Sequence, residues 1–304
     1  MKDLRQTLRK PESTEKPSTS AVSLNETTQV GGNQLALIAG PCAVESLDQV
    51  MEVAIHAKQL NIPCLRGGAF KPRTSPYSFQ GMGLEGLEHL DQVRKTTGMA
   101  VISEVMSVEQ MNMAQPYLDC FQIGARNMQN FELLKELGKQ KKPVILKRGL
   151  SSTVEEFLYS AEYIMAEGNP NVILCERGIR SFDNMTRNVL DLGAVALLKE
   201  LTHLPVLVDP SHATGKRSLV IPAARAGVAI GADGILVEAH PIPEKSVSDA
   251  AQALSLDDLT QLMKELEPVA NAIGKSFFEN QAASKAATTV TELETVSPRR
   301  LSAV

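Results

Sequence analysis

Val144-Ile145-Leu146-Lys147-Arg148-Gly149, then Thr153 to Glu167, then Val172-Ile173-Leu174-Cys175-Glu176-Arg177-Gly178 is the stretch whose pattern decides the fold. Each apolar run is strand-sized and ends in polar residues that mark a loop, and the segment between the runs carries apolar residues at 3.6-residue spacing. Strand, loop, helix and strand in that order make a βαβ unit, which sets two parallel strands under a right-handed crossover. The helix is predicted to open on Ser152 and Glu155, which stand at capping-box spacing.

The same pattern recurs on both sides of that stretch. Leu35 to Ala39, Cys64 to Arg66, Ala100 to Glu104 and Cys120 to Ile123 precede it, and Val206 to Asp209 and Gly234 to Glu238 follow. Amphipathic segments such as Leu47 to Leu60 and Arg187 to Glu200 separate the runs. Residues 35 to 270 divided among eight runs give about 30 residues each, the length of one strand, one helix and two loops. Eight such units in series predict a closed (β/α)8 TIM barrel of the α/β class. An open doubly wound sheet also alternates strands and helices, but it collects its ligand residues at one switch point. Here polar residues follow nearly every run, as a ring of loops around one barrel mouth requires.

The barrel occupies most of the 304 residues and leaves two flanks. Residues 1–34 hold nine Ser or Thr and two Pro against five Leu or Val, too little apolar surface to offset ordering entropy. A flexible N-terminal arm is therefore expected over 1–34, a catalytic barrel over 35–279 and a flexible Ser/Thr/Ala-rich C-terminal tail over 280–304. The 43% hydrophobic and 22% charged content excludes fibrous and wholly disordered classes. A net charge of -4 supplies no global basic field for nucleic acid. No apolar run approaches the ~20 residues of a membrane span, and the charged start lacks a signal-peptide core, so cytoplasm is the expected location. Cys42, Cys64, Cys120 and Cys175 lie far apart without CxxC spacing, which argues against a disulfide scaffold or a zinc finger. The last three sit inside predicted strands and read as small buried hydrophobes.

The loops carry the chemistry. Arg66-Gly67-Gly68-Ala69-Phe70-Lys71-Pro72-Arg73-Thr74-Ser75-Pro76-Tyr77 places, within its first ten residues, three cations, two glycines and two hydroxyls where they can wrap a phosphate. Further cations recur as Gly124-Ala125-Arg126, Lys147-Arg148-Gly149 and Glu176-Arg177-Gly178-Ile179-Arg180. Converging on one mouth, they would repel one another unless polyanions bound there, for example two phosphates, or a phosphate and a carboxylate. A second group is soft and acidic: Cys42 after the first run, Asp209 and His212 after the seventh, Glu238 and His240 after the eighth, and Asp249 beyond. A thiolate, an imidazole and carboxylates at one rim can ligate a divalent transition metal; mixed donors disfavour magnesium and leave manganese, iron, cobalt and zinc open. Glu104 either supports a substrate-bound water or cation, or pairs with Lys147 or Arg126.

Ile38-Ala39-Gly40-Pro41-Cys42-Ala43-Val44-Glu45-Ser46, the Arg66 to Tyr77 loop and Asp209-Pro210-Ser211-His212 together resemble the 3-deoxy-D-arabino-heptulosonate 7-phosphate synthase family in its short type I beta form. The resemblance covers roughly residues 35 to 265. It implies a metal-dependent barrel that condenses phosphoenolpyruvate with erythrose 4-phosphate and releases phosphate, the first step toward chorismate. It implies metal ligands at Cys42, His212, Glu238 and Asp249. Arg66, Lys71, Arg126, Lys147 and Arg177, with the backbone of Gly124 and Ala125, would hold phosphoenolpyruvate. Arg73, Thr74 and Ser75 would hold the phosphate of the aldehyde, Lys71 would donate a proton, and Glu104 would stand beside the enol. The neighbouring octulosonate 8-phosphate synthases typically carry Lys-Ala-Asn-Arg-Ser where this chain has Lys71-Pro72-Arg73-Thr74-Ser75, which points to the four-carbon aldehyde. A non-catalytic sugar-phosphate-binding barrel is the reading from another class. The flanks are much shorter than the ferredoxin-like or chorismate mutase domains of some family members, so no inhibition by an aromatic amino acid is expected within the chain. Family precedent implies a homotetramer or homodimer.

Overall fold

The chain, described by a computed structural model over residues 3–8 and 19–277, enters through an antiparallel hairpin, β1 (Val22–Ser23) and β2 (Gln29–Val30). The first half of the barrel follows: β3 (Gln34–Gly40), α1 (Leu47–Gln59), β4 (Cys64–Arg66), α2 (Leu84–Thr97), β5 (Ala100–Glu104), α3 (Val108–Ala114), β6 (Cys120–Ile123) and α4 (Phe131–Gly138). The second half is β7 (Val144–Lys147), α5 (Val154–Ala166), β8 (Val172–Glu176), α6 (Leu192–Leu201), β9 (Val206–Val208), α7 (Pro210–Thr214), α8 (Arg217–Ala229), β10 (Gly234–Glu238) and α9 (Leu256–Ala272). All neighbouring strands from β3 to β10 pair in parallel, and β10 returns to β3 with Leu236 opposite Ile38 and Glu238 opposite Gly40, closing the ring. A short strand, β11 (Ser276–Phe277), adds to the start of β3. The predicted (β/α)8 barrel is thus the architecture found.

Period-2 alternation sorts the strand residues onto two faces. Leu37, Leu65, Val101, Phe121, Leu146, Leu174, Val208 and Val237 face outward and join the helices in the larger core. Ile38, Cys64, Ile102, Cys120, Ile145, Ile173, Leu207 and Leu236 fill the barrel interior. Two residues beyond several interior positions comes a polar one: Arg66 after Cys64, Glu104 after Ile102, Gln122 after Cys120, Lys147 after Ile145, Asp209 after Leu207, and Glu238 after Leu236. All six are buried. The apolar interior therefore ends, at the C-terminal mouth, in a layer of charge. Cys64, Cys120 and Cys175 are fully buried inside the barrel, where they act as the small hydrophobes their position predicts.

The described part of the N-terminal segment is packed, whereas its composition predicts a mobile arm. Val22, Leu24 and Val30 from the hairpin plug the bottom of the barrel and share one apolar cluster with its interior residues. Burying each is worth about 1.5–3 kcal/mol, so few apolar residues suffice when all meet one open face. Residues 5–7 are tied to α5, where the Glu162 carboxylate accepts the backbone N–H groups of Arg5, Gln6 and Thr7 at 2.9–3.1 Å. The predicted C-terminal tail, 280–304, lies outside the described residues.

Two helix starts differ from expectation in ways that bear on the mouth. The cap of α5 is Thr153 with Glu156, one residue later than the Ser152 and Glu155 pair; both pairs have the required spacing, and only the later one closes the reciprocal box. Helix α6 begins at Leu192 rather than at Arg187, because Asp191 caps it through the Ala194 N–H. Residues 187 and 188 instead lie in a bend and hydrogen-bond through their N–H groups to the carbonyls of Thr214 and Ala213.

Candidate active site and metal centre

The loops that follow the strands surround a cavity of about 540 Å³ at the charged end of the barrel. Its wall contains Lys71, Arg73, Thr74 and Ser75 from the loop after β4, Glu104 from β5, and Gln122, Gly124, Ala125 and Arg126 from β6 and its loop. Lys147, Arg177, His212 and Asp249 complete the set expected from sequence to face it. Arg180, one of the converging cations, lines it as expected, and so do Arg187, Asn188 and Ser78, which the sequence does not single out. Cys42, Arg66 and Glu238 lie behind this wall, buried.

The sequence motifs explain how these side chains arrive. Glycine at 124 is required by close approach, since a Cβ there would stand 2.0 Å from Glu104 Oε1. Glu104 itself makes neither ion pair considered from the sequence: its Oε2 lies 3.5 Å from Gln122 Nε2, and Oε1 is buried without a partner. Gln122 escaped notice because it is neutral and lies within an apolar run; its period-2 spacing from Cys120 is the signal that places it in the polar layer. Arg148, counted with the converging cations, turns outward and bridges Glu176 at 2.9 Å and Asp191 at 3.0 Å. Lys147, one residue earlier, points inward and pairs with Asp209 at 2.6 Å. Parity along β7 thus separates two adjacent cations that sequence adjacency had grouped.

Cys42, His212, Glu238 and Asp249 each offer one ligand atom, and these atoms all lie within 4.8 Å of one another. His212 Nε2 lies 3.1 Å from Glu238 Oε1 and 3.8 Å from Asp249 Oδ2, while Cys42 Sγ lies 3.3 Å from Asp249 Oδ2. Asp209, left among the candidates by the sequence, stands behind the cluster: its Oδ2 is 2.7 Å from His212 Nδ1 and its Oδ1 accepts the His212 N–H. That contact fixes Nδ1 as the protonated ring nitrogen and turns the Nε2 lone pair to the cluster, the arrangement that ligating histidines adopt. His240 is not in the cluster; its Nδ1 accepts the Ile242 N–H at 3.0 Å.

The electrostatics agree with this geometry. Burial, reinforced by Glu238, pushes the Cys42 thiol up to about 12, so an incoming cation must displace its proton. Burial lowers His212, favouring the neutral imidazole a metal needs. Burial alone would raise Asp209, Glu238 and Asp249, but His212 and the neighbouring cations outweigh it; all three are lowered, Asp249 to about 2. Lys71 Nζ lies 3.0 Å from Cys42 Sγ and donates to its carbonyl at 2.7 Å. Arg66 Nη1 donates to Glu238 Oε1 and to Pro41 O, and its Nε is buried without a partner. A compact S, N, O, O donor set with its protons and charges already organised fits a divalent transition metal.

Comparison with known proteins agrees with the resemblance. The model of the DAHP synthetase I family matches residues 17–274. The phospho-2-dehydro-3-deoxyheptonate aldolase of Thermotoga maritima is 49% identical over 258 residues, spanning 85% of this chain and 76% of that protein. The 2-dehydro-3-deoxyphosphooctonate aldolase of Syntrophotalea carbinolica is 33% identical over 256 residues, spanning 78% of this chain and 91% of that protein. Among solved structures, the Thermotoga maritima DAHP synthase superposes with a TM-score of 0.86 at 46% identity, over 91% of this chain and 80% of that one. A truncated form of the synthase from the same organism gives 0.79 at 45% identity, over 86% and 95%. The match of the family model to nearly the whole described barrel makes this chain a member of the DAHP synthetase I family.

Proposed function

We propose that this protein condenses phosphoenolpyruvate with erythrose 4-phosphate to give 3-deoxy-D-arabino-heptulosonate 7-phosphate and inorganic phosphate. The observation that carries the reading is one cavity with two faces: the Cys42, His212, Glu238, Asp249 cluster beneath it, and Lys71, Arg73, Arg126, Lys147, Arg177 and Arg180 around it. Two phosphates and a carboxylate supply the negative charge those cations call for. C3 of the enol forms a bond to the aldehyde carbon, water adds at C2, and the resulting hemiketal phosphate loses phosphate by C–O cleavage.

Lys147, Arg126 and Arg177, with the backbone of Gly124 and Ala125, hold phosphoenolpyruvate at the inner end of the cavity. Arg66 lies deeper, and its unpartnered Nε is a buried donor available to a polar ligand. Glu104 Oε1 is the matching buried acceptor, suited to a water beside the enol. Arg73, Thr74 and Ser75 take the aldehyde's phosphate. Lys71, hydrogen-bonded to Cys42 and lining the cavity, donates the proton that the aldehyde oxygen acquires. Fixing both anions in near-attack geometry is the main contribution of these side chains. A divalent manganese, iron, cobalt or zinc ion held by Cys42, His212, Glu238 and Asp249 supplies the Lewis acid for the aldehyde. The same reading has the enzyme acting in the cytoplasm as a homodimer or homotetramer; among the described residues no helix is long and apolar enough to cross a membrane.

The test is consumption of phosphoenolpyruvate, followed by loss of enol absorbance, with erythrose 4-phosphate or arabinose 5-phosphate. Turnover with the four-carbon aldehyde that is abolished by chelator and by Cys42→Ala is the expected result. Turnover with arabinose 5-phosphate alone would assign the octulosonate reaction, and silence with both would leave a binding barrel.

A further inference from the structure

Glu238 and Asp249 each turn one oxygen toward His212 Nε2 and the other outward. The outward oxygens meet a shared structure. Gln252, 2% exposed, donates through Nε2 to Glu238 Oε2 at 2.6 Å. Its Oε1 accepts from Arg187 Nη1 at 3.1 Å, and that same nitrogen donates to Asp249 Oδ1 at 3.2 Å. We propose that Arg187 and Gln252 form a single bridge that positions the two carboxylate ligands for the metal, an inference that rests on the metal-centre reading above.

The chemistry of the three groups leaves little freedom. A carboxylate only accepts and a guanidinium only donates, so the Gln252 amide has one orientation that satisfies both. Glutamate at 252 would set a carboxylate against Glu238; an apolar residue would leave Glu238 Oε2 buried without a donor. The bridge is also built on fixed backbone. Arg187 is held by its N–H to the Thr214 carbonyl and Asn188 by its N–H to the Ala213 carbonyl, directly after His212. Asp249 is held at φ 56, in the left-handed region, where a non-glycine residue persists only under external restraint. Neither bridge residue offers an atom to the four-ligand cluster, so both act through the carboxylates. Outer partners of this kind are worth about 10–100-fold in metal affinity.

The experiment is Co(II) titration of the metal-free full-length chain, read by the thiolate-to-cobalt charge-transfer band and the ligand-field bands. Wild-type protein taking up no cobalt with a thiolate band would overturn the metal centre itself, and the bridge with it. Given wild-type binding, Gln252→Leu, Gln252→Glu and Arg187→Ala are expected to keep the thiolate band, shift the ligand-field bands and weaken affinity 10–100-fold. The double variant Gln252→Leu/Arg187→Ala should bind about as weakly as the weaker single one. Arg225→Ala, which removes a remote surface pair with Glu265, should bind as wild type does. Wild-type affinity and spectra in all three single variants would overturn the proposal, and multiplicative losses in the double variant would refute the single bridge. Should Gln252→Leu fail to fold by circular dichroism, Arg187→Ala, at a part-exposed residue, decides alone.

Discussion

Asp209→Asn is the most informative single change, because one carboxylate serves three partners. Oδ2 receives Lys147 Nζ at 2.6 Å and stands 2.7 Å from His212 Nδ1, while Oδ1 caps α7 through the His212 N–H at 2.9 Å. Lys147 and Asp209 are 4% and 0% exposed, so water cannot substitute for a lost partner. Asparagine has two orientations and neither suffices. With its oxygen toward the cap, its NH₂ faces the ammonium and the imidazole N–H; with its oxygen toward those two, its NH₂ faces the His212 N–H and the cap is lost. Removing one partner of a buried pair costs roughly 3–5 kcal/mol. The amide oxygen still accepts from Lys147 in one orientation, so a loss of about 3 kcal/mol is expected, a fall in Tm of about 6–12 °C. Scanning calorimetry of Asp209→Asn, Lys147→Met and the double variant reads this directly. The double variant should recover most of the stability, since it buries no unpaired charge, yet remain inactive, because the proposed function gives Lys147 to phosphoenolpyruvate. A Tm within 1 °C of wild type for Asp209→Asn, or strict additivity in the cycle, would refute the account.

Three further outcomes follow from other contacts. Gly124→Ala sets a methyl 2.0 Å from the original place of Glu104 Oε1; clearing it takes a shift of about 1 Å, and a misplacement of about 1 Å near the proposed chemistry lowers kcat by about 100-fold; unchanged kcat would show that Glu104 is free to move. The Glu162 carboxylate is lowered: burial opposes this, and the N–H groups of Thr7, Arg5 and Gln6 outweigh it. A lowered folded value means the clamp contributes above the ordinary carboxylate range and is lost as pH falls through the lower one. Amide exchange at residues 5–7 should therefore accelerate in acid, and Glu162→Gln should accelerate it already at pH 7. Leu24→Ala removes a 5% exposed plug from the barrel floor and is expected to cost about 2–5 kcal/mol by urea unfolding; a neutral result would make the hairpin an ornament rather than part of the core.

Strand positions were legible because parallel barrel strands are buried on both faces and read as short apolar runs. Six of the eight, Cys64–Arg66, Ala100–Glu104, Cys120–Ile123, Val144–Lys147, Val172–Glu176 and Gly234–Glu238, match the observed bounds residue for residue. The start of α6 was not, since Arg187 to Leu190 has helical periodicity, and it is backbone bonds to residues 213 and 214 that hold Arg187 and Asn188 in a bend ahead of the helix. The ordered hairpin was hidden by averaging, because mean composition does not register that Val22, Leu24 and Val30 share one face.

The sequence by itself determined the barrel and the residue types at its mouth, because periodicity and strand-end chemistry are local properties of the chain. What only the tertiary structure decided is which groups share an atom's reach. Asp209 stands behind His212 rather than among the ligands, Arg148 leaves the cavity that Lys147 faces, and Arg187 meets Gln252 across 65 residues of chain. Those relations depend on the ring of eight strands closing through β10 and β3. Closure sets the distances between strand ends, and no window along the sequence carries that information.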